Sequence, residues 1–81
     1  MKRKLTFEEY LRKDNLSENT ITSYLWTVNY FTENYEVISK ENLLAYKGYL
    51  MEFFKPKTVN LRIQAINKYL EYLEEQQLQL K

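Results

Sequence analysis

The chain of 81 residues has 12 basic and 11 acidic side chains, so its formal net charge at neutral pH is only +1. Proteins that bind nucleic acid over their whole surface are strongly basic, so any such role must rest here on where the charges lie. The sequence contains neither Cys nor His, which excludes disulfides, thiolate metal sites and the usual general base at neutral pH.

The composition favours a small all-α domain. Hydrophobic residues make up 44% of the chain and aromatic residues 16%, whereas Gly and Pro occur once each. A β-sheet protein of this length needs more turn residues, so helices joined by short loops are expected. No apolar run approaches the ~20 residues of a membrane-spanning helix, and no apolar segment follows the basic start as in a signal peptide. We therefore expect a cytoplasmic protein without a membrane partner.

Four helix starts share one pattern, in which a capping residue follows one apolar residue and a second apolar residue lies five positions after the first. The predicted caps are Thr6, Ser17 and Ser39, whereas the fourth start offers only the poor cap Lys55 before Pro56. These signals predict a compact orthogonal bundle of four helices, at about residues 6–14, 17–34, 39–54 and 56–76.

Apolar residues at helical spacing predict the core. Gly48 lies inside the third helix at a cost of about 1 kcal/mol relative to Ala, and we expect it to mark a close helix crossing. The predicted core residues, in chain order, are Phe7, Tyr10, Leu11, Ile21, Tyr24, Leu25, Val28, Phe31, Tyr35, Leu43, Tyr46, Leu50, Phe53, Phe54, Val59, Ile63, Ile66, Tyr69, Leu70 and Leu73.

The second helix has an outward face without charge, since no charged residue occurs between positions 19 and 32. Short hydroxyls, amides and rings suit contacts to phosphate oxygens and base edges, and also suit a protein partner. Trp26 lies opposite the predicted core, where it either contacts a partner or packs on a neighbouring helix. The residues of this face are Asn19, Thr22, Ser23, Trp26, Thr27, Asn29 and Tyr30.

The fourth helix carries the localised positive charge, because four cations and no acid occur between positions 55 and 68. A lysine beside the free N–H groups of a helix start favours phosphate binding, and Asn and Gln pair with adenine. The alternative interpretation is an ordinary solvated basic face. The cations are Lys55, Lys57, Arg62 and Lys68, and one outward face presents Lys57, Asn60, Gln64 and Lys68.

The sequence offers no catalytic constellation. Without His, Cys or a Gly-rich loop, the remaining candidates are carboxylates at helix ends or on solvent faces, and eight tyrosines. No tyrosine has a neighbouring His or Arg cluster that would activate it as a nucleophile. The chain is therefore not predicted to be an enzyme, and no cofactor or metal is expected.

Three segments in order carry a resemblance to a known family. Residues 16–24 (LSENTITSY), with Leu25, Val28 and Phe31 after them, resemble an L-S-x-N-T-I-x-S-Y signature. Residues 38–43 (ISKENL) are similar to an I-T-x-E-D-L segment, and residues 58–73 (TVNLRIQAINKYLEYL) to a T-x-N-x-x-L-x-A-L-x-x-F-Y-x-Y-L helix. Together they resemble the core-binding, SAM-like domain of tyrosine recombinases, which include phage-type integrases.

In that family a four-helix domain and a separate catalytic domain clamp double-stranded DNA from opposite sides. The resemblance implies a basic arm at residues 1–5, a core-binding domain at 6–76 and the start of an interdomain linker at 77–81. It implies as partners the core recombination site of a mobile element, the catalytic domain of the parent chain and other protomers, in a bacterial host. The family's catalytic Arg, His, Arg and Tyr belong to the catalytic domain, so this fragment would not cut DNA.

The predicted DNA-binding residues come from the second and fourth helices. The match to the family motifs implies a DNA-side position for Asn19, Thr20, Ser23, Lys57, Thr58, Asn60 and Arg62. Helix geometry alone adds Thr22, Trp26, Gln64 and Lys68.

Two other functions remain open from the sequence. The chain is alternatively a helical protein-interaction module that uses Trp26 and Tyr30 as anchors. A helix-turn-helix regulator is a third hypothesis, because only a short link at Glu36-Val37 joins the second and third helices. The third helix, however, is rich in Tyr and lacks a polar recognition face.

Overall fold

A computed structural model describes residues 5–74 of the chain. It contains four helices, α1 (Phe7–Lys13), α2 (Glu18–Asn34), α3 (Lys40–Phe53) and α4 (Pro56–Tyr72), and no strand occurs within the described range. The predicted all-α, four-helix architecture is confirmed. Of the predicted fourth helix, positions 75 and 76 lie outside the described residues, as do positions 1–4 of the arm and the tail at 77–81.

The helices begin where the sequence places their caps. The Thr6 hydroxyl accepts a hydrogen bond from the Glu9 N–H, and the Glu9 carboxylate accepts one from the Thr6 N–H, which completes a capping box. The hydroxyls of Ser17 and Ser39 likewise accept from the N–H three residues later. Lys55 makes no capping hydrogen bond, so the start of α4 relies on the proline at its first position.

Backbone conformation ends two of the helices. Asn15 follows α1 in the left-handed region at φ 61°, which asparagine tolerates better than most residues. Phe54 and Lys55 have extended backbones before Pro56, because the proline ring disfavours helical conformation in the residue that precedes it.

The core has two parts, and α4 contributes to both. In one part, α1 and the first half of α2 pack around Ala65. In the other, the second half of α2 and α3 pack on Val59, Ile66 and Leu70 of α4. The most extensive contact between helices is that of α2 with α4. The buried apolar residues are Phe7, Leu11, Ile21, Tyr24, Val28, Phe31, Leu43, Tyr46, Leu50, Val59, Ala65, Ile66 and Leu70.

Several residues expected in the core lie at its edge. These residues are partly buried. Those that pack against the two parts of the core are Tyr10, Leu25, Tyr35, Phe54, Ile63 and Tyr69. Leu73 is partly buried just beyond the end of α4. The expectation for Phe53 was wrong: its side chain is 64% exposed, because it ends α3 and the next residue, Phe54, turns inward.

The expectation for Gly48 was also wrong. A Cβ atom added at Gly48 would meet no atom within 4 Å, and the residue is exposed on α3. No neighbouring helix therefore requires a glycine at this position.

We predict that Ile66→Ala lowers the free energy of unfolding by about 2–5 kcal/mol, because Ile66 is 1% exposed and its truncation leaves a cavity. Urea unfolding followed by circular dichroism measures the change. Leu44→Ala is the control, since Leu44 is 51% exposed, and should cost less than about 0.5 kcal/mol. Equal effects of the two substitutions would contradict the core assignment.

We predict that Gly48→Ala raises the free energy of unfolding by about 0.5–1 kcal/mol, because alanine costs less backbone entropy in a helix. The reverse change Ala45→Gly, at an exposed position of the same helix, should lower it by a similar amount. Thermal and urea unfolding test both variants, and a destabilised Gly48→Ala would mean that α3 has a close neighbour at this position.

Candidate functional site

Side chains from α2 and α4 face each other across a groove on one side of the bundle. Thr22, Ser23 and Trp26 of α2 and Leu61 and Arg62 of α4 line this groove, whose volume is about 220 Å³. The two helices approach each other here because their apolar faces pack together below. The groove thus joins part of the uncharged face of α2 to the first half of α4.

A second depression lies on α4 beside this groove and shares Leu61 with it. It has a volume of about 400 Å³, and none of its lining residues carries a carboxylate. The groove and the depression together form one surface, named here the α2–α4 surface. Its residues are Thr22, Ser23, Trp26, Lys57, Thr58, Asn60, Leu61, Arg62 and Gln64.

Arg62 lies close to two aromatic rings. Its guanidinium carbon is 4.3 Å from the centre of the Trp26 ring and 5.2 Å from that of Phe54. One terminal nitrogen of Arg62 donates a hydrogen bond of 3.4 Å to the Thr27 hydroxyl. A cation over a ring face is attracted by the ring quadrupole, so Trp26 and Arg62 hold each other in place. Trp26 therefore packs on a neighbouring helix while it remains 53% exposed.

The charge of Arg62 has no counter-ion within the described part of the chain. Among residues 5–74, the ion pairs join other side chains, and the Arg62 Nε–H is buried without a hydrogen-bond partner. Burial raises the pKa of Tyr46 to about 12, although the nearby guanidinium of Arg62 acts in the opposite direction. The phenol of Tyr46 thus stays neutral at physiological pH, and Arg62 is surrounded by uncharged groups.

Lys68 is not part of the α2–α4 surface. Its ammonium pairs with the carboxylates of Asp14 and Glu71, the latter at 3.0 Å, and lies 5.5 Å from the centre of the Tyr10 ring. Burial alone lowers the pKa of Lys68, but the hydrogen bonds that its ammonium donates to both carboxylates raise it overall. This lysine links α4 to the end of α1 through an ion pair, so its charge is neutralised within the fold.

Lys55 and Lys57 are the exposed cations at the start of α4. Neither has a carboxylate within ion-pair distance in the part of the chain that the structure describes. Lys57 lines the α2–α4 surface in the first turn of the helix. Its charge and the positive end of the helix dipole therefore add in the same place.

Two further predicted residues lie at the start of α2, outside the surface. The Thr20 hydroxyl accepts a hydrogen bond of 2.9 Å from the Ser17 hydroxyl, and the Thr20 N–H donates one to the Ser17 hydroxyl oxygen. Thr20 is thereby part of the helix cap. Asn19 is exposed in the first turn of α2 and does not line the groove.

Thr27 was predicted on the outward face, and this was wrong. Its side chain is 2% exposed, and its hydroxyl donates a hydrogen bond of 2.9 Å to the Ser23 carbonyl. Because α4 crosses α2 on this side, a position that one helix alone would expose is covered by Arg62.

Leu61 and Phe54 are the contributors that the sequence reasoning missed. Leu61 is 41% exposed and lines both parts of the surface, and the Phe54 ring centre lies 5.2 Å from the guanidinium carbon of Arg62. A signal for Leu61 was available: it occupies the same helical stripe as Lys57 and Gln64, where an apolar side chain is unexpected. No comparable signal marks Phe54, whose role depends on how α3 meets α4.

Comparison of the chain with protein-family models, with curated proteins and with solved structures finds no match. The family resemblance of the sequence therefore stays a prediction. Within residues 5–74, no helix is both long and apolar enough to cross a membrane. The same residues contain no group of three or more acidic side chains placed to hold a metal ion.

We predict that Trp26→Ala lowers the free energy of unfolding by about 1 kcal/mol, because it removes the ring that stacks on Arg62. Trp26→Phe keeps a ring in this position and should retain most of the stability. Urea unfolding of the two variants measures the difference. If both variants unfold with the wild-type midpoint, the stack contributes nothing to the fold.

Proposed function

We propose that the chain is a DNA-binding module that grips a double-stranded recombination site through the α2–α4 surface. The parent protein would be a site-specific tyrosine recombinase or phage-type integrase, with its catalytic residues in another domain. The observation that supports this most is the composition of the surface, which combines two cations, three hydroxyls and two amides without a carboxylate. The surface also includes most of the residues that the family resemblance selects.

The groups of the surface match the two kinds of contact that DNA offers. Lys57 and Thr58, at the start of α4, suit a backbone phosphate, which helix N–H groups and the helix dipole also attract. Asn60 and Gln64 lie one turn apart on the exposed side of α4. Their amides suit the donor and acceptor pair that adenine presents in the major groove. Phosphate contacts would set the position of the helix, and the amides would read the sequence.

The even charge balance sets the strength of this binding. With a formal net charge of +1, attraction over long range is weak, and few phosphates are neutralised. Each neutralised phosphate releases bound counter-ions, so the affinity falls steeply with salt. The isolated module would therefore bind duplex DNA weakly, and a tight complex would need the catalytic domain and further protomers.

A row of rings favours a second function, contact with another protein. Ring centres are 5.7 Å apart for Trp26 and Tyr30, 6.0 Å for Tyr30 and Tyr49, and 5.2 Å for Tyr49 and Phe53. The row leads from the groove across to α3, where Phe53 is 64% exposed. Large exposed rings are common anchors of protein interfaces. The row would contact a domain or protomer that binds beside the DNA.

We predict that Lys57→Gln weakens duplex binding and reduces the slope of log affinity against log salt by about 0.9, because one phosphate contact is lost. Fluorescence anisotropy of a labelled duplex at several salt concentrations measures both quantities. The matched control is Lys68→Gln, which removes a lysine of the same helix that is paired within the fold. It should leave the slope unchanged.

Backbone amide shifts during the same titration locate the contact. Shifts confined to the α2–α4 surface support DNA binding. If the wild-type chain binds no duplex, or binds with an affinity that salt does not change, the proposed function is wrong. Shifts centred on Tyr30, Tyr49 and Phe53 on mixing with the parent's catalytic domain, without any duplex binding, favour the protein-interaction function instead.

A further inference from the structure

The groove between α2 and α4 is lined by a cation, Arg62, that no carboxylate among residues 5–74 neutralises. Arg62 is partly buried, its Nε–H has no hydrogen-bond partner, and its neighbours Thr27 and Tyr46 are uncharged. Withdrawing a cation from water without a counter-ion is unfavourable, and an anion bound beside it would compensate much of that cost. The position of Arg62 therefore favours the binding of an anion beside it.

Two hydroxyls line the same groove. Thr22 is exposed and Ser23 partly exposed, and neither side chain makes a hydrogen bond to another residue in the described range. A water molecule takes up about 30 Å³ in the liquid, so a groove of about 220 Å³ admits a phosphodiester group. Hydroxyl donors beside a guanidinium suit the oxygens of a phosphate.

The aromatic stack fixes the direction of the guanidinium. The Trp26 and Phe54 rings lie 4.3 and 5.2 Å from its central carbon, and one terminal nitrogen is hydrogen-bonded to Thr27, so these neighbours hold the guanidinium beside the groove that Arg62 lines. A planar guanidinium donates two parallel hydrogen bonds to a phosphate, which a lysine ammonium does not. Trp26 is then a positioning residue, whose ring orients Arg62 and need not touch a base.

We propose that the Arg62 guanidinium and the Thr22 and Ser23 hydroxyls form a binding site for one backbone phosphate of duplex DNA. This inference rests on the proposed function and specifies one contact of it. The site differs from the position at Lys57, which lies in the other part of the surface. Two phosphate contacts, one on each side of Leu61, would thus hold one strand of the duplex.

Thr22→Val removes one hydroxyl without changing the size of the side chain. We expect duplex affinity to fall about fivefold, the equivalent of about 1 kcal/mol for one hydrogen bond. The matched control is Thr32→Val, an exposed threonine of the same helix that lies outside the groove. It should bind duplex with wild-type affinity. Fluorescence anisotropy at fixed salt measures all three proteins.

The second measurement follows Arg62 directly. The side-chain Nε–H resonance of Arg62 should shift when a labelled duplex is added, and Arg62→Gln should reduce the salt slope by about 0.9. Arg62→Lys should retain the slope and lose affinity about tenfold, because the charge remains and the paired hydrogen bonds do not. If the Arg62 variants fail to fold by circular dichroism, the comparison of Thr22→Val with Thr32→Val decides.

The outcomes separate this site from the proposed function. If the wild-type chain binds no duplex, both are wrong. If it binds with Lys57-dependent salt sensitivity, but Thr22→Val equals Thr32→Val and the Arg62 resonance does not move, only the phosphate site is overturned. Inorganic phosphate at matched ionic strength is the remaining probe. If it shifts the Arg62 resonance while duplex DNA does not, the groove is a site for free anions, and the assignment to DNA fails.

Discussion

The packing of α2 against α4 is the contact on which the rest of the structure depends. Both helices have 17 residues, and α4 supplies buried residues to each part of the core. The helix α1 covers one half of this pair and α3 covers the other, so neither would have a surface to pack on without it. The same crossing brings Thr22 and Ser23 opposite Arg62. The stability of the fold and the geometry of the surface therefore have one origin.

Arg62 lies at that crossing, where an apolar side chain would be the simpler choice for stability. Replacing a buried charge by a well-packed apolar residue is often neutral or stabilising. Here the rings of Trp26 and Phe54 offset part of the cost, since a cation over a ring is favourable even where water is excluded. The stack accounts for how the cation is tolerated in the fold. The rings carry no negative charge, whereas a bound phosphate would neutralise the charge of Arg62.

Local signals determined which features the sequence could predict. Hydroxyl caps at Thr6, Ser17 and Ser39, and the proline of α4, act within a few residues, so the helix starts followed from the sequence alone. The buried state of Thr27 and the pairing of Lys68 depend on which helix lies across the chain. A helical periodicity distinguishes one inner face from one outer face, whereas α2 is covered by α1, α3 and α4 on different sides. Residues at such crossings could not be assigned from periodicity.

The charge distribution agrees with a module that contributes orientation more than affinity. Arg12 is paired with Glu8 and Glu18, and Lys68 with Asp14 and Glu71. These pairs lie around α1, whereas Lys55, just before α4, and Lys57 and Arg62, in its first half, have no ion pair among residues 5–74. If the proposed function holds, this weak site would become effective when it is linked to a second DNA-binding domain, because the second contact is then intramolecular. Its own contribution would be to fix the direction in which the duplex enters, through two phosphate contacts and the exposed amides of α4.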